Sequence, residues 1–170
     1  MRAALEPVAG ETAQALLAAY VAEIERTLER HRASSPEDVR ELAPPGGGFV
    51  ILRDEDGRAI GCGGFRRLEA GVCEVKRMYV APEARGRGAG RLLLATIEAE
   101  AAAAGYRLAR LDTAAPLLAA RRLYAAAGWR ETEPYNGNPL AAHWFAKELQ
   151  SITSAPSSSS GNAPQATSHR

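Results

Sequence analysis

One short run constrains this chain more than any other: Arg85-Gly86-Arg87-Gly88-Ala89-Gly90-Arg91 lies where the periodicity changes from strand-like to helical. Glycines at that junction let backbone approach a ligand without side chains in the way. The first turn of the helix that follows offers unpaired N–H groups and the positive end of its dipole, both suited to a phosphate. Three arginines add charge, so the run reads as an anion site. Two common phosphate loops do not fit it. A dinucleotide fingerprint needs a third glycine where Arg91 stands and belongs near the first strand of a βαβ unit, whereas this run follows antiparallel strands. A Walker loop needs Gly-Lys-Ser/Thr, which is missing here.

Phe49–Leu52, Ala59–Leu68 and Val72–Val80 read as three strands, joined by Asp54-Glu55-Asp56-Gly57 and Glu69-Ala70-Gly71. With Leu68 opposite Val72, Cys73 would face Arg67 and Cys62 would face Met78. Gly61, Gly63 and Gly64 weaken the middle strand but admit another backbone or a ligand. The third strand changes parity. Cys73 and Val75 share one face, while Met78 and Val80 belong to the other. One extra residue near Lys76-Arg77, a β-bulge, would restore the phase, and a strand covered on both faces would also account for it.

A short strand, Arg2 to Glu6, precedes a helix from about Thr12 to Arg32, whose apolar stripe is Leu17, Tyr20, Val21, Ile24, Leu28 and His31. His31 reads as a half-buried residue at the helix end, not a ligand. Ser35-Pro36-Glu37-Asp38 opens a second, short helix that Pro44-Pro45-Gly46-Gly47-Gly48 stops. After the glycine run come a helix from Ala89 to Ala104, a strand from Arg107 to Asp112, and a helix between Pro116 and Gly128. Strands Trp129–Thr132 and Ala142–Leu149 flank a loop at Glu133–Pro139. From Ser151 the chain is Ser-rich with little to bury and is expected to be a flexible tail, leaving residues 1–150 as one domain.

Apolar residues supply 46% of the 170 and charged residues 24%, with a formal net charge of +1. That balance suits a globular enzyme or binding domain and carries no clustered basic excess for nucleic acid. No apolar run reaches a membrane span, and Glu6-Pro7 follows the first residues in place of a signal peptide's apolar core. Cys62 and Cys73 read as reduced thiols in a cytoplasmic protein. His31, His143 and His169 have no metal-ligand spacing.

Met78-Tyr79-Val80-Ala81-Pro82-Glu83-Ala84-Arg85-Gly86-Arg87-Gly88-Ala89-Gly90 resembles the acetyl-CoA motif of the GCN5-related N-acetyltransferases, the GNAT family, in which Arg/Gln-x-x-Gly-x-Gly/Ala follows a bulged strand. Ala120-Arg121-Arg122-Leu123-Tyr124-Ala125-Ala126-Ala127-Gly128-Trp129 is similar to that family's second signature. The element order matches from about residue 2 to 149. One position departs: an asparagine common seven residues before the tyrosine is Leu117 here.

The resemblance implies an α/β fold of α+β type, a mixed, mostly antiparallel central sheet with flanking helices and a bulged strand before the acetyl-CoA loop. It implies acetyl-CoA as co-substrate, with no metal and no nucleic-acid or membrane partner. A small-molecule amine is the expected acceptor, a protein or peptide amine and a non-catalytic acyl-CoA-binding sensor are the alternatives, and a homodimer stays open. Backbone groups of Met78, Tyr79 and Val80 would bind the pantetheine arm, and Arg85, Gly86, Arg87, Gly88, Ala89, Gly90 and Arg91 the pyrophosphate. An N–H near Met78 would polarise the thioester carbonyl. Tyr124 would protonate the leaving sulfur, its alternative being a core aromatic. Glu74 would take the amine's proton, its alternative being a solvent-facing residue paired with Lys76 or Arg66, and Glu133 is the reserve. Tyr135, Asn136 and Asn138 are expected to line the acceptor pocket.

Overall fold

The computed structural model describes residues 1–29 and 39–150. Among these residues seven strands form one sheet in the order β1-β2-β3-β4-β5-β7-β6. They are β1 (Arg2–Leu5), β2 (Gly48–Arg53), β3 (Ala59–Glu69), β4 (Val72–Val80), β5 (Leu108–Thr113), β6 (Arg130–Thr132) and β7 (His143–Glu148). Helices α1 (Glu11–Leu28), α2 (Ala89–Ala103) and α3 (Leu118–Ala126) pack on it. Every neighbouring pair of strands is antiparallel except β4 and β5. His31, the proposed helix start at Ser35 and the Ser-rich tail lie outside the described residues.

Strict alternation along β2 explains how both faces become covered. Phe49 and Ile51 point to the α1 side, where they meet Leu16, Leu17, Leu42 and Cys62. Val50 and Leu52 point the other way, into the larger core of Phe65, Leu93, Leu94, Ile97, Leu111 and Phe145. Period-2 alternation with apolar residues on both faces is the signature of a strand buried on both sides. The strand-joining turn is held by the Asp54 carboxylate, which accepts from the amides of Asp56 at 3.0 Å and Arg58 at 2.8 Å.

The bulge is present. Cys62 pairs with Tyr79 and Gly64 with Lys76, so Gly63 alone faces both Arg77 and Met78. Arg77 carries the extra residue in the left-handed region, φ 61°. A side chain there costs roughly 1–2 kcal/mol, which the surrounding ladder must hold down. Gly63 is a packing requirement: a Cβ would come within 2.8 Å of Ile97 Cδ1 and 3.0 Å of Met78 Cγ. The close approach that this glycine allows is that of α2 and the bulge, not of a ligand. Cys73, Glu74 and Val75 are all buried, so this stretch is also covered on both faces. The expected register is right from Arg67–Cys73 through Gly64–Lys76 and departs at either end of that stretch. Glu69, not Leu68, faces Val72, and the bulge moves the partner of Cys62 from Met78 to Tyr79.

Candidate active site

Pairing between β4 and β5 covers only Val72–Leu108, Cys73–Ala109 and Glu74–Arg110. Beyond Glu74 the two strands part, and the β5-facing peptide groups of Val75–Val80 have no strand opposite them. The gap continues into a cleft of about 630 Å³ whose walls include Met78, Tyr79 and Val80 on one side and Leu117, Leu123 and Tyr124 on the other. At one end lies the glycine run. A 3-10 turn at Pro82–Ala84 leads into it, and α2 starts immediately after Gly88. Gly86 and Gly88 have φ of 75° and 80°, a conformation open to glycine at little cost. The first-turn amides of α2 have no carbonyl a turn earlier within the helix and are free for an anion.

The cofactor-loop residues do not behave alike. Gly86, Gly88, Ala89, Gly90 and Arg91 line the cleft, whereas Arg87 is exposed and does not. Arg85 is committed elsewhere. Its Nε donates to the Val80 carbonyl at 2.8 Å and its Nη2 to both oxygens of Glu23, at 2.6 and 2.8 Å. It straps the end of β4 to α1 while also lining the cleft, as Arg91 does. Gly90 faces α3, where a Cβ would stand 3.3 Å from Leu123.

Tyr124 sits on α3 with its ring against Phe145 and Trp129, centroids 5.7 and 6.1 Å away. Its hydroxyl points into the cleft and donates to Met78 Sδ at 4.0 Å. Both readings of this residue are therefore physically present, a core ring with a polar tip at the strand gap. Burial first, and then the neighbouring Tyr20 and Asp112, push its hydroxyl well above the ordinary tyrosine value. It stays protonated and is a hydrogen-bond donor more than a strong acid.

Glu74 is 1% exposed and does not line the cleft. Its Oε2 accepts from Arg66 Nε at 2.6 Å, with Lys76 Nζ 3.6 Å away. Its Oε1 accepts from the Tyr135 hydroxyl at 2.9 Å and from Asn136 Nδ2 at 3.4 Å. Arg66 also pairs with Glu41, and Arg110 lies over the Tyr135 ring. So the partners foreseen for a surface glutamate are there, but the carboxylate is interior. A buried charge survives only when it is paired and hydrogen-bonded. Burial and the adjacent Glu74 carboxylate drive the Tyr135 hydroxyl strongly upward.

The loop before β7 thus folds inward. Tyr135 and Asn136 anchor Glu74 and do not line the cleft; Asn138 does. Asn136 Nδ2 donates to Asp112 Oδ2 at 2.6 Å, and Asn136 Oδ1 accepts from Trp144 Nε1 at 2.9 Å. Asn138 Nδ2 donates to Asp112 Oδ1 at 3.0 Å. Glu133 is exposed and does not line the cleft. Sequence reasoning missed Asp112, Lys76 and Arg77, all in the cleft wall. For Asp112 a signal existed: an acidic residue near the carboxyl end of a strand in the α/β half, where ligand crevices open. Among the described residues no helix is long and apolar enough to cross a membrane, and no three His, Cys, Asp or Glu side chains cluster as a metal site.

A model of the acetyltransferase (GNAT) family matches residues 14–129, a span that holds the loop, the bulged strand and Tyr124. The chain belongs to that family. An uncharacterized N-acetyltransferase of Schizosaccharomyces pombe (strain 972 / ATCC 24843) is 43% identical over 103 residues, which cover 60% of this chain and 63% of that relative. The matched segment therefore spans less than two thirds of that protein. An IAA acetyltransferase of Azospirillum brasilense is 39% identical over 108 residues, 61% of this chain and 70% of that relative. The crystal structure of a GNAT-family acetyltransferase from Staphylococcus aureus Mu50 superposes with a TM-score of 0.71 at 16% identity, covering 88% of this chain and all of that one, and shares the fold.

Proposed function

We propose that this GNAT chain transfers acetyl from acetyl-CoA to a primary amine of a small molecule by direct attack. The observation that carries the reading is one cleft with a helix-capped glycine loop at one end and the Tyr124 hydroxyl beside the strand gap at the other. The amides of Gly86 through Arg91, with the Arg91 side chain, would hold the pyrophosphate. The unpaired edge of β4 at Met78–Val80 would take the pantetheine arm as a substitute strand. An N–H of that edge near Met78 would receive the thioester oxygen as it gains charge.

An alkylamine titrates near ~10, so at neutral pH a base must remove a proton before attack. Glu74 can supply that role from behind the wall only through water or a neighbour, since both its oxygens are engaged. Tyr124 would donate to the departing sulfur. With the hydroxyl held above its usual range, that contribution is mainly a hydrogen bond that strengthens as the thiolate forms. The two fully buried free thiols suit a reducing, cytosolic setting. The test is coenzyme A release from acetyl-CoA over a panel of free amino acids, a polyamine, an aminoglycoside and an unblocked peptide. Turnover on a small amine is the expected result. Acetyl-CoA binding without turnover would make the chain an acyl-CoA sensor, and turnover on the peptide alone would move the acceptor to proteins.

A further inference from the structure

We propose that Asp112, not Glu74, is the carboxylate that holds the acceptor's ammonium group and accepts its proton. The inference rests on the acetyl-transfer reading and narrows it to one residue. Glu74 and Asp112 are the two carboxylates of a single hydrogen-bonded cluster, but they occupy different places in it. Glu74 is 1% exposed, is absent from the cleft wall, and accepts from three side chains. Asp112 is half-buried, lines the cleft near the carboxyl end of β5, and accepts one bond on each oxygen, from Asn136 and Asn138. A carboxylate offers about four lone-pair sites, so each Asp112 oxygen keeps capacity for a further donor.

The cluster is built to aim that capacity. Asn136 is fixed at its oxygen by Trp144 and bridges the two acids through its amide nitrogen. Asn138 is fixed at its oxygen by the Leu140 amide and points its nitrogen at Asp112. Two donors on defined oxygens set the carboxylate plane, and Glu74 anchors the loop that carries them. The charged and titratable groups around this end of the cleft are Lys76 and Arg77 of β4, Tyr124 of α3, Tyr20 and Glu23 of α1, and Tyr135 and Glu74 behind the wall. Lys76 is drawn to Glu74 and Glu23 is held by Arg85, which leaves Asp112 as the acid facing the space beside Tyr124.

The step balances as follows. The ammonium nitrogen gives one proton to Asp112, which passes it to water. The neutral nitrogen then bonds to the thioester carbonyl carbon as the carbon–sulfur bond breaks. The second proton lost by nitrogen ends on the coenzyme A sulfur by way of the Tyr124 hydroxyl. The net release is one proton per acetyl transferred.

The experiment compares Asp112→Asn with Glu74→Gln on the best amine of the panel, reading kcat/KM against pH, acetyl-CoA affinity by calorimetry, and melting temperature. Asp112→Asn should keep acetyl-CoA affinity and lose about 10²- to 10⁴-fold in kcat/KM at pH 7. The deficit should shrink as pH rises toward the amine's own value near ~10, because solution then supplies neutral amine. One Asn donor would face an amide, so a fall of a few degrees in melting temperature accompanies it. As a second variant, Asp112→Ala should regain turnover in added formate, an outcome a structural role would not give. Glu74→Gln should lower kcat/KM by the same factor at every pH. A deficit in Asp112→Asn that is constant with pH, or the acidic limb vanishing in Glu74→Gln instead, overturns the assignment while leaving acetyl transfer intact. If no amine of the panel is turned over by the wild type, both readings fall together.

Discussion

Gly57 and Gly88 provide a matched pair that isolates the loop's role. Their φ values are 81° and 80°, and a Cβ at either would meet nothing within 4 Å. Replacing each by Val therefore imposes the same kind of backbone strain, with no clash at the Cβ. Left-handed strain is roughly 1–2 kcal/mol, and at about 2–4 °C per kcal/mol for a domain near this size the melting temperature should fall by roughly 2–8 °C in both variants. Only Gly88 borders the cleft, as the residue that caps α2. Its side chain would stand between the amides and a phosphate. One charge-assisted hydrogen bond is about 1.5–3 kcal/mol, or about 10- to 150-fold in acetyl-CoA Kd. Differential scanning calorimetry and titration calorimetry on both variants make the comparison. Equal acetyl-CoA affinity in the two, at equal loss of stability, would remove the loop from the phosphate site.

Tyr124→Phe keeps the ring contacts with Phe145 and Trp129 and deletes one hydroxyl, so steady-state kinetics should show kcat lower by ~10²-fold at the low end of what a positioned donor contributes, with KM for acetyl-CoA nearly constant. Unchanged kcat would return Tyr124 to a packing role. Stability should fall on the alkaline side, because burial pushes the thiols of Cys62 and Cys73 up to about 12. The native state keeps protons that the unfolded chain releases from about pH 8.5, so this stability is complete below that pH and is lost as pH climbs toward 12. At about 1.4 kcal/mol per pH unit per thiol, the loss reaches roughly 3–4 kcal/mol by pH 10. Denaturant unfolding at pH 7.5 and 10 measures it, and equal free energies at the two would refute the burial argument. An ammonium acceptor loses two protons and the coenzyme A sulfur keeps one, so proton release followed in weakly buffered solution should equal one per coenzyme A formed, whichever residue accepts it. No release would mean that the acceptor is not an ammonium group.

The sequence made the bulge legible because parity is a local property. Cys73 and Val75 disagree with Met78 and Val80 however the rest of the chain folds. Register was less secure, since the same extra residue shifts every pairing beyond it, and Cys62 met Tyr79 instead of Met78. The glycine loop was legible for the same local reason, although the fate of Arg85 was not. Its partner Glu23 lies 62 residues earlier on α1, a contact that only the tertiary fold creates. Glu74 carried a clue that alternation alone could not weigh. A charge flanked by Cys73 and Val75 in a strand covered on both faces must have interior partners. Those partners, Tyr135 and Asn136, stand in a segment whose polarity and prolines suggested exposure. The polarity of Tyr135 and Asn136 was satisfied inward, against two carboxylates, while Asn138 alone of the three reached the cleft.

The three-residue ladder between β4 and β5 has a consequence for how the protein holds together. It is the backbone seam that joins the first four strands to the last three in the described sheet. Under the proposed binding, the co-substrate lies along the parted edges and supplies rungs that the chain itself omits. Slow hydrogen exchange should then spread outward along β4 from Glu74 when the cleft fills, as if the sheet had been completed. A sequence change that lengthened the ladder would gain backbone hydrogen bonds and close the gap the co-substrate needs. In this fold the cohesion of the unliganded sheet and the capacity of its cleft are therefore set against each other.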